Sequence, residues 1–374
     1  MRRLILGAWT ALILGLLMLA AVALWARYEL TAPDDVVHET YFEIPPGTAY
    51  QTVLRQLVDS GRLNWRSAFW LRVEARIMEA PEVKAGEYRI PPEQTPYEIR
   101  ELLVSGDVIL HRIQFVEGWT TQQAVAAVRA HPAVVHVLEE EALSLDKLMP
   151  ALGLESAWAE GRFRPDTYAF PKGTTDRSVL RRAALAQEAE VERWWALRPD
   201  DLPIDTPEEM LILASIIEKE TGVPEERFEV AGVFINRLRL GMKLQTDPTV
   251  AYGVAPDFNG RLLRRHLDTD TPFNTYTREG LPPTAICLPG SASLQAVVQP
   301  ATTENLFFVA RGDGTGGHVF SKTLAQHNAA VQRYREVMRS RAAGQALPTN
   351  SVSPTPIPAP IPTTSPTPEA TKSP

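Results

Sequence analysis

The residues best suited to chemistry are two glutamates near the end of a predicted helix, in the run Glu218-Lys219-Glu220-Thr221. On a helix, Glu220 lies over the apolar residues three, four and seven positions earlier, whereas Glu218 points to nearly the opposite side. An apolar stripe partly desolvates a carboxyl, and desolvation raises its pKa toward the range useful for a general acid. Glu220 is therefore the candidate acid. The pattern alone also allows two solvated glutamates at a helix end.

Four polar side chains that follow this helix could bind a sugar, namely Gln245, Asp247, Asn274 and Tyr276. Amides and carboxylates pair with sugar hydroxyls, and a tyrosine ring stacks on a pyranose. We expect these four to line a cleft that binds a sugar. Taken singly, each is also an ordinary turn residue, so a purely structural role stays open.

The helix that carries the candidate acid has strong boundary signals. Thr206 can cap its start, Pro207 suits the first helical position, and Glu209 is placed to complete a capping box. The apolar run 210–217 predicts burial in a core, and Gly222 predicts the end. A second helix is predicted at 230–238, followed by a polar strand and turn at 241–250.

Other motifs exclude some functions. Residues 312–317 match G-x-G-x-x-G, but a strand-like segment follows them, so a hairpin turn is favoured over a dinucleotide site. We find no P-loop lysine, G-x-S-x-G elbow or histidine and cysteine cluster, so no metal or other cofactor is expected. Cys287 is the single cysteine and is interpreted as a small buried apolar residue. A net charge of −7 argues against a nucleic-acid partner.

The N-terminal segment predicts a membrane anchor. Residues 4–26 contain no charge and would extend roughly 35 Å as a helix, which covers a hydrocarbon core of about 30 Å. Arg2 and Arg3 favour a cytoplasmic N-terminus, and Asp34 and Asp35 lie beyond the run. Ala21-Val22-Ala23 also fits a cleavage site, so a removed signal peptide is the alternative.

We expect an α+β protein: a transmembrane helix, a small module and a mixed helix and strand catalytic domain. The predicted segments are a cytoplasmic N-terminus (1–3), the transmembrane helix (4–26), the small module (36–112), a mostly helical connecting region (113–200), the catalytic domain (201–342) and a tail (343–374). Proline, serine and threonine dominate the tail, which predicts disorder because such a segment cannot bury enough apolar surface.

Several runs, in order along the chain, resemble the endolytic murein transglycosylase family, also called the MltG or YceG-like family. They include residues 42–47, 84–88, 116–118, 165–168, 214–221, 233–238, 244–250, 280–283, 316–320 and 327–328. The resemblance implies a single transmembrane helix, a LysM-like module and an extracytoplasmic catalytic domain. Thr284 departs from the glycine expected after Pro282-Pro283, and the proline-rich tail has no counterpart in the family.

The resemblance also implies a lyase that cleaves between N-acetylmuramic acid and N-acetylglucosamine in nascent peptidoglycan. The product carries a 1,6-anhydro end, strand elongation stops, and Glu220 corresponds to the catalytic glutamate. One carboxyl could serve both steps, first as acid and then as base, so no second carboxylate is needed to activate water. Glycan strands and the plasma membrane are the expected partners.

Three alternatives remain at this point. The first is a hydrolase that uses water in the same cleft. The second is a non-catalytic, membrane-anchored protein that binds peptidoglycan through the LysM-like module. The third is a scaffold within the elongation machinery, with cell-wall synthases as partners, and it is compatible with catalysis.

Overall fold

The computed structural model describes residues 2–33, 38–156, 158–255 and 260–344. Within these ranges the protein is α+β, with thirteen α-helices and four separate two-stranded sheets. The predicted fold class is therefore confirmed at the level of mixed helices and strands with an N-terminal apolar helix. The first two residues of the predicted small module and nearly all of the predicted tail lie outside the described ranges.

The N-terminal helix α1 (Arg2–Thr31) contains an apolar stretch, Trp9–Thr31, with a mean hydropathy of 2.2. No part of the most apolar window of this stretch is buried by the rest of the protein. A helix of this length and composition is compatible with a single membrane span.

The small module is built from two strands and three helices: β1 (Thr40–Ile44), α2 (Tyr50–Asp59), α3 (Trp65–Ile77), β2 (Gly86–Ile90) and α4 (Pro96–Ser105). The strands pair antiparallel, with Thr40 opposite Ile90 and Ile44 opposite Gly86. Leucines and other apolar residues of α2, α3 and α4 cover the pair and form a separate apolar core.

The last turn of α1 packs directly on this module. Leu30 is only 4% exposed and belongs to the module's core. The ring of Trp25 meets that of Trp70 edge to face, with centroids 5.6 Å apart. The Ser67 hydroxyl donates a hydrogen bond of 3.2 Å to the carbonyl of Glu29. These contacts join the anchor and the module.

The middle region is the least regular. It contains β3 (Leu110–Gln114), α5 (Thr121–Ala130), β4 (Val134–Val135), α6 (Leu148–Ala151), β5 (Thr167–Pro171), β6 (Thr174–Thr175) and the long α7 (Asp176–Trp195). Strand β3 pairs antiparallel with β5, and β4 pairs parallel with β6. Its core includes Leu288 from the region that follows, so the two regions share packing.

The last region contains α8 (Pro207–Glu220), α9 (Arg227–Arg239), α10 (Asp247–Gly253), α11 (Arg264–Asp268), α12 (Ser291–Val298), β7 (Phe307–Ala310), β8 (His318–Ser321) and α13 (Leu324–Gly344). All residues from Met210 to Ile217 on α8 are buried, and α9 and α12 pack against this helix. Because α8 is packed in the centre of this region, the position of Glu220 at its C-terminal end is fixed.

Two local predictions are wrong and two are confirmed. The predicted polar strand at 241–250 is a loop that leads into α10, because Asp247 and Pro248 suit a first helical turn. Only half of the predicted capping box forms: Thr206 accepts from the Glu209 N–H, but the Glu209 carboxylate accepts from the N–H of Asp205 instead. The glycine-rich segment is the predicted hairpin turn between β7 and β8. Cys287 is fully buried, as predicted.

Candidate active site

Glu220 lines an open pocket of about 500 Å³. Helix α8 ends at this residue, and Thr221 adopts an extended conformation as the C-cap. The pocket lining consists of Glu220, Arg237, Leu244, Gln245, Asp247, Tyr276, residues 307–310, His318, Leu324 and His327. The acid thus sits where a buried helix meets a groove that is accessible to a ligand.

The surroundings of Glu220 raise the pKa of its carboxyl above the ordinary value. Burial is the main cause, and the negative charge of Asp247 acts in the same direction. A hydrogen bond from the Thr246 hydroxyl to Oε1 of Glu220 opposes the shift, as do the nearby His318 and Arg237. The net raised pKa increases the protonated fraction, which is the form a general acid needs.

Asp247 and Tyr276 form a pair on one side of the pocket. The Tyr276 hydroxyl donates a hydrogen bond of 2.7 Å to Oδ1 of Asp247. Gln245 lies next to them, with a positive φ of 50° and a backbone N–H that donates to the carbonyl of Thr275. The structure therefore brings three of the four sugar-binding candidates together with Glu220.

Asn274 lies elsewhere. Its side chain is fully buried and does not line the pocket. The amide donates to the carbonyls of Leu267 and Thr269 at 3.0 and 2.7 Å, and Oδ1 accepts from the N–H of Tyr276 at 2.9 Å. This geometry gives no support to the expected sugar contact, because every polar atom of the amide holds the loop that carries Tyr276.

Arg237 is a pocket residue that sequence reasoning missed. Its buried guanidinium donates to the carbonyls of Leu306 and Leu244 at 2.6 and 2.9 Å, and it lies over the ring of Phe307. It therefore ties α9 to the loop before α10 and to the start of β7. An arginine near the end of a helix is normally a solvated residue, and the one sequence signal for Arg237 was its place in the run 233–238 that carries the family resemblance.

The β7–β8 hairpin and α13 supply further pocket residues that the sequence reasoning missed. His318 lines the pocket, and its Nδ1 lies 2.8 Å from Oε2 of Glu226. The Glu226 carboxylate also accepts from the His318 N–H, which fixes both backbone and ring. The Phe307 ring stacks on His327, with centroids 5.3 Å apart. His318 and His327 fall in runs that carry the family resemblance, which was the available signal.

Glu218 has a different, structural environment. Its Oε2 accepts from the N–H of Gly290 at 2.9 Å and from the hydroxyl of Ser293 at 2.7 Å. Arg227 lies 3.8 Å from the other oxygen, and the side chain is almost fully buried. The carboxylate therefore caps the N-terminus of α12, where a negative charge is favourable. The two glutamates point to different sides, as helical geometry predicts.

The chain matches the model of the YceG-like family over residues 42–333. It is 30% identical over 308 residues to the endolytic murein transglycosylase of Bacillus subtilis (strain 168), across 78% of this chain and 83% of that relative. It is 25% identical to the endolytic murein transglycosylase of Streptococcus pneumoniae (strain D39), across 74% of this chain and 55% of the longer relative.

A yceG-like protein from Listeria monocytogenes has a solved crystal structure that covers 78% of this chain, with 28% identity and a TM-score of 0.49. The match to the family model spans well over half of the chain and includes the pocket residues from Glu220 to His327. The relative from Bacillus subtilis is matched over most of its own length. The chain therefore belongs to the YceG-like family.

Proposed function

We propose that the chain is an endolytic murein transglycosylase, a lyase that cuts peptidoglycan glycan strands without consuming water. Membership of the YceG-like family and the relatives that carry this name support the activity. The single observation that carries the mechanism is the position of Glu220: a carboxyl with a raised pKa that lines a groove together with polar and aromatic side chains.

The proposed reaction needs one acid. Protonated Glu220 donates its proton to the glycosidic oxygen, the bond from that oxygen to C1 of N-acetylmuramic acid breaks, and an oxocarbenium-like charge develops at C1. The 6-hydroxyl of the same sugar then attacks C1 and gives its proton to the Glu220 carboxylate. A 1,6-anhydro end forms, and the acid returns to its starting state.

Asp247, Tyr276 and Gln245 have roles in binding and charge stabilisation in this proposal. The Asp247 carboxylate is held by the Tyr276 hydroxyl and faces the same pocket as Glu220, so its charge can stabilise the developing positive charge. Gln245 offers an amide to sugar hydroxyls. For Asn274 we propose a positioning role, because it holds the loop that presents Tyr276.

We further propose that α1 spans the plasma membrane, with the N-terminus in the cytoplasm and residues beyond the span outside. The apolar stretch of α1 supports the span, and Arg2 and Arg3 support the orientation. We propose that the compact unit from β1 to α4 is the LysM-like, glycan-binding module. Its support is a strand, helix, helix, strand order with its own core. Contact with a cell-wall synthase stays a prediction.

Product analysis of the full-length protein on purified uncrosslinked glycan tests the activity. We expect wild type to release fragments one water lighter than hydrolysed ones. Glu220→Gln should lower the rate on the order of 10³-fold, since the change removes both acid and base. Glu218→Gln is the matched control on the same helix and should retain cleavage, because its amide oxygen can still accept from Gly290.

A stability measurement separates lost chemistry from lost folding. The folded-state pKa of Glu220 is raised, so ionising this carboxyl disfavours the folded state at a pH above its unfolded pKa. Glu220→Gln should therefore unfold at the same or higher denaturant concentration than wild type at pH 7. Products with the mass of hydrolysed fragments, one water heavier than anhydro fragments, would favour the hydrolase alternative. Unchanged cleavage by Glu220→Gln would remove this residue from the mechanism.

A further inference from the structure

We propose that the exposed face of α3 lies in the headgroup layer of the membrane, so that the small module rests on the lipid surface beside the anchor. The inference rests on the proposed membrane span of α1. It adds a second, peripheral membrane contact that holds the extracytoplasmic part of the protein at a fixed height.

The depth of α3 follows from its contacts with α1. A hydrocarbon core of about 30 Å takes up about 20 helical residues at 1.5 Å each. Counted from residue 4, where the uncharged run starts, the outer boundary falls near Trp25. The ring of Trp70 on α3 lies against that of Trp25. Helix α3 is therefore at the level where hydrocarbon gives way to headgroups.

The side chains that α3 exposes are of the kind found at membrane interfaces. Trp65 is 65% exposed, Phe69 49% and Ile77 77%, although each is large and apolar. Trp65, Phe69 and Arg76 fall on one face of the helix, at positions i, i+4 and i+11. Aromatic rings partition into the interfacial layer, and arginine side chains extend toward phosphate groups.

The contacts between α1 and α3 fix the level and the orientation of α3 relative to the anchor. The Ser67 hydroxyl bonds the Glu29 carbonyl, Arg66 lies 3.9 Å from the Glu29 carboxylate, and Leu30 is buried in the module core. A lipid surface is favoured over a protein partner because α3 packs on the end of a helix that is proposed to span the membrane. The exposed Arg72 and Arg76 also match anionic headgroups.

A depth measurement on the full-length protein tests the proposal. Cysteine is introduced at Phe69, labelled with an environment-sensitive fluorophore, and the protein is reconstituted into vesicles of phosphatidylethanolamine and phosphatidylglycerol. The native Cys287 is fully buried, and burial raises the pKa of its thiol, so it should not react. Lipids with a nitroxide on the headgroup or on the upper acyl chain serve as quenchers.

Two matched variants define the upper and lower limits of quenching by the nitroxide lipids. Leu14→Cys lies within the apolar stretch of α1, and Leu240→Cys is an exposed apolar position of the last region, 63% exposed. We expect the label at residue 69 to be quenched by both nitroxide lipids at least twofold more than the label at 240. Strong quenching at residue 14 with equal quenching at 69 and 240 would overturn the proposal and leave the anchor intact. Absence of quenching at residue 14 would contradict the anchor itself.

A protein occupant has a different signature. If a second copy or another protein covered α3, the label at residue 69 would be protected from aqueous iodide without being quenched by nitroxide lipids. That result would also overturn the proposal, since contact with lipid requires protection from iodide together with quenching by the nitroxide lipids.

Discussion

At the scale of single residues, the candidate acid depends on a balance between burial and one hydrogen bond. Burial and Asp247 raise the pKa of Glu220, while the Thr246 hydroxyl lowers it by stabilising the ionised carboxylate. Thr246 is itself held in a chain of hydroxyls, since Thr249 and Thr275 bond each other at 2.9 Å and both contact the Thr246 backbone. The acid's proton affinity is thus set by buried groups rather than by solvent.

Replacement of this hydroxyl should shift the pH dependence of cleavage. Thr246→Val removes the group that favours the carboxylate, so the pKa of Glu220 rises further. The protonated acid then persists to higher pH, and the alkaline limb of the kcat/KM profile moves upward. Rates of anhydro-product formation between pH 4 and 9 measure the shift. Thr277→Val, at a threonine hydrogen-bonded to Asp270, is the control and should leave the profile unchanged. A downward shift of the limb would contradict the assignment.

Single residues also show what the sequence could and could not predict about the site. The position of Glu220 over apolar residues of α8 was predictable from helical periodicity, whereas its role as the acid stays a prediction. Asn274 and Tyr276 were equally good sugar-binding candidates in the sequence. In the structure, however, the side chain of Asn274 is buried behind the loop and that of Tyr276 lines the pocket. The direction of a loop side chain depends on contacts with distant segments. For the same reason, the contacts of Arg237 and His318 were visible only in the structure, although both residues lie in runs that carry the family resemblance.

At the scale of elements, the packing of α9 depends on a residue without a side chain. A Cβ added at Gly232 would lie 2.7 Å from the carbonyl oxygen of Ala301 and 2.7 Å from Cγ2 of Thr303. This segment cannot move away freely, because the Ala301 N–H donates to Phe228 and the Thr303 carbonyl accepts from Asn236. The close approach lets the chain after α12 pass directly over α9 and on to β7.

Gly232→Ala should therefore destabilise the protein, although alanine favours a helix by about 1 kcal/mol. Steric overlap with a fixed segment typically costs about 1–3 kcal/mol, so we expect a net loss of about 1 kcal/mol in the free energy of unfolding. Denaturant titration measures it. Gly222→Ala is the matched control, since an added Cβ there meets no atom within 4 Å. If the two variants were equally stable, the segment between α12 and β7 would have to move aside for the added methyl group.

Elements with strong local signals were the predictable part of the fold. Helix α8 had a cap, a proline and a long apolar run, and its observed end at Glu220 lies within two residues of the predicted one. The segment before α10 had no such run, and its mixed polar residues suggested a strand where the structure has a loop and a helix. The pairing of β3 with β5, more than fifty residues apart, has no local signal at all.

At the scale of the whole molecule, the described residues form three apolar cores that follow one another along the chain, and the second and third are linked through Leu288. The first core connects to α1 through Leu30, and Lys172 of the middle region pairs with Glu43 of the module at 2.6 Å. The anchor, the module and the site-bearing regions are thus joined by packing and by an ion pair. The proposed lipid contact of α3 would add an external support to this arrangement.

Removal of the tail should leave this arrangement intact. A chain that ends after residue 344 lacks only proline, serine and threonine-rich sequence, which the composition predicts to be disordered. We expect its free energy of unfolding to stay within about 0.5 kcal/mol of wild type, measured by thermal unfolding. A chain that ends after Thr323 also loses α13, including the buried Ala330, and should be strongly destabilised. If deletion of the tail lowered the free energy of unfolding as much as the longer truncation does, the tail would have to pack against the folded protein.

The place of the β7–β8 hairpin in the chain bears on how the enzyme is made. In the proposed topology the polypeptide crosses the membrane starting from its N-terminal side, so Glu220 arrives outside before residues 307–321, which form one wall of the groove. A partly exported chain therefore carries Glu220, Asp247 and Tyr276 but lacks this wall of the groove. In this topology the groove is complete, and cleavage of the surrounding peptidoglycan is expected, only after the hairpin has been exported.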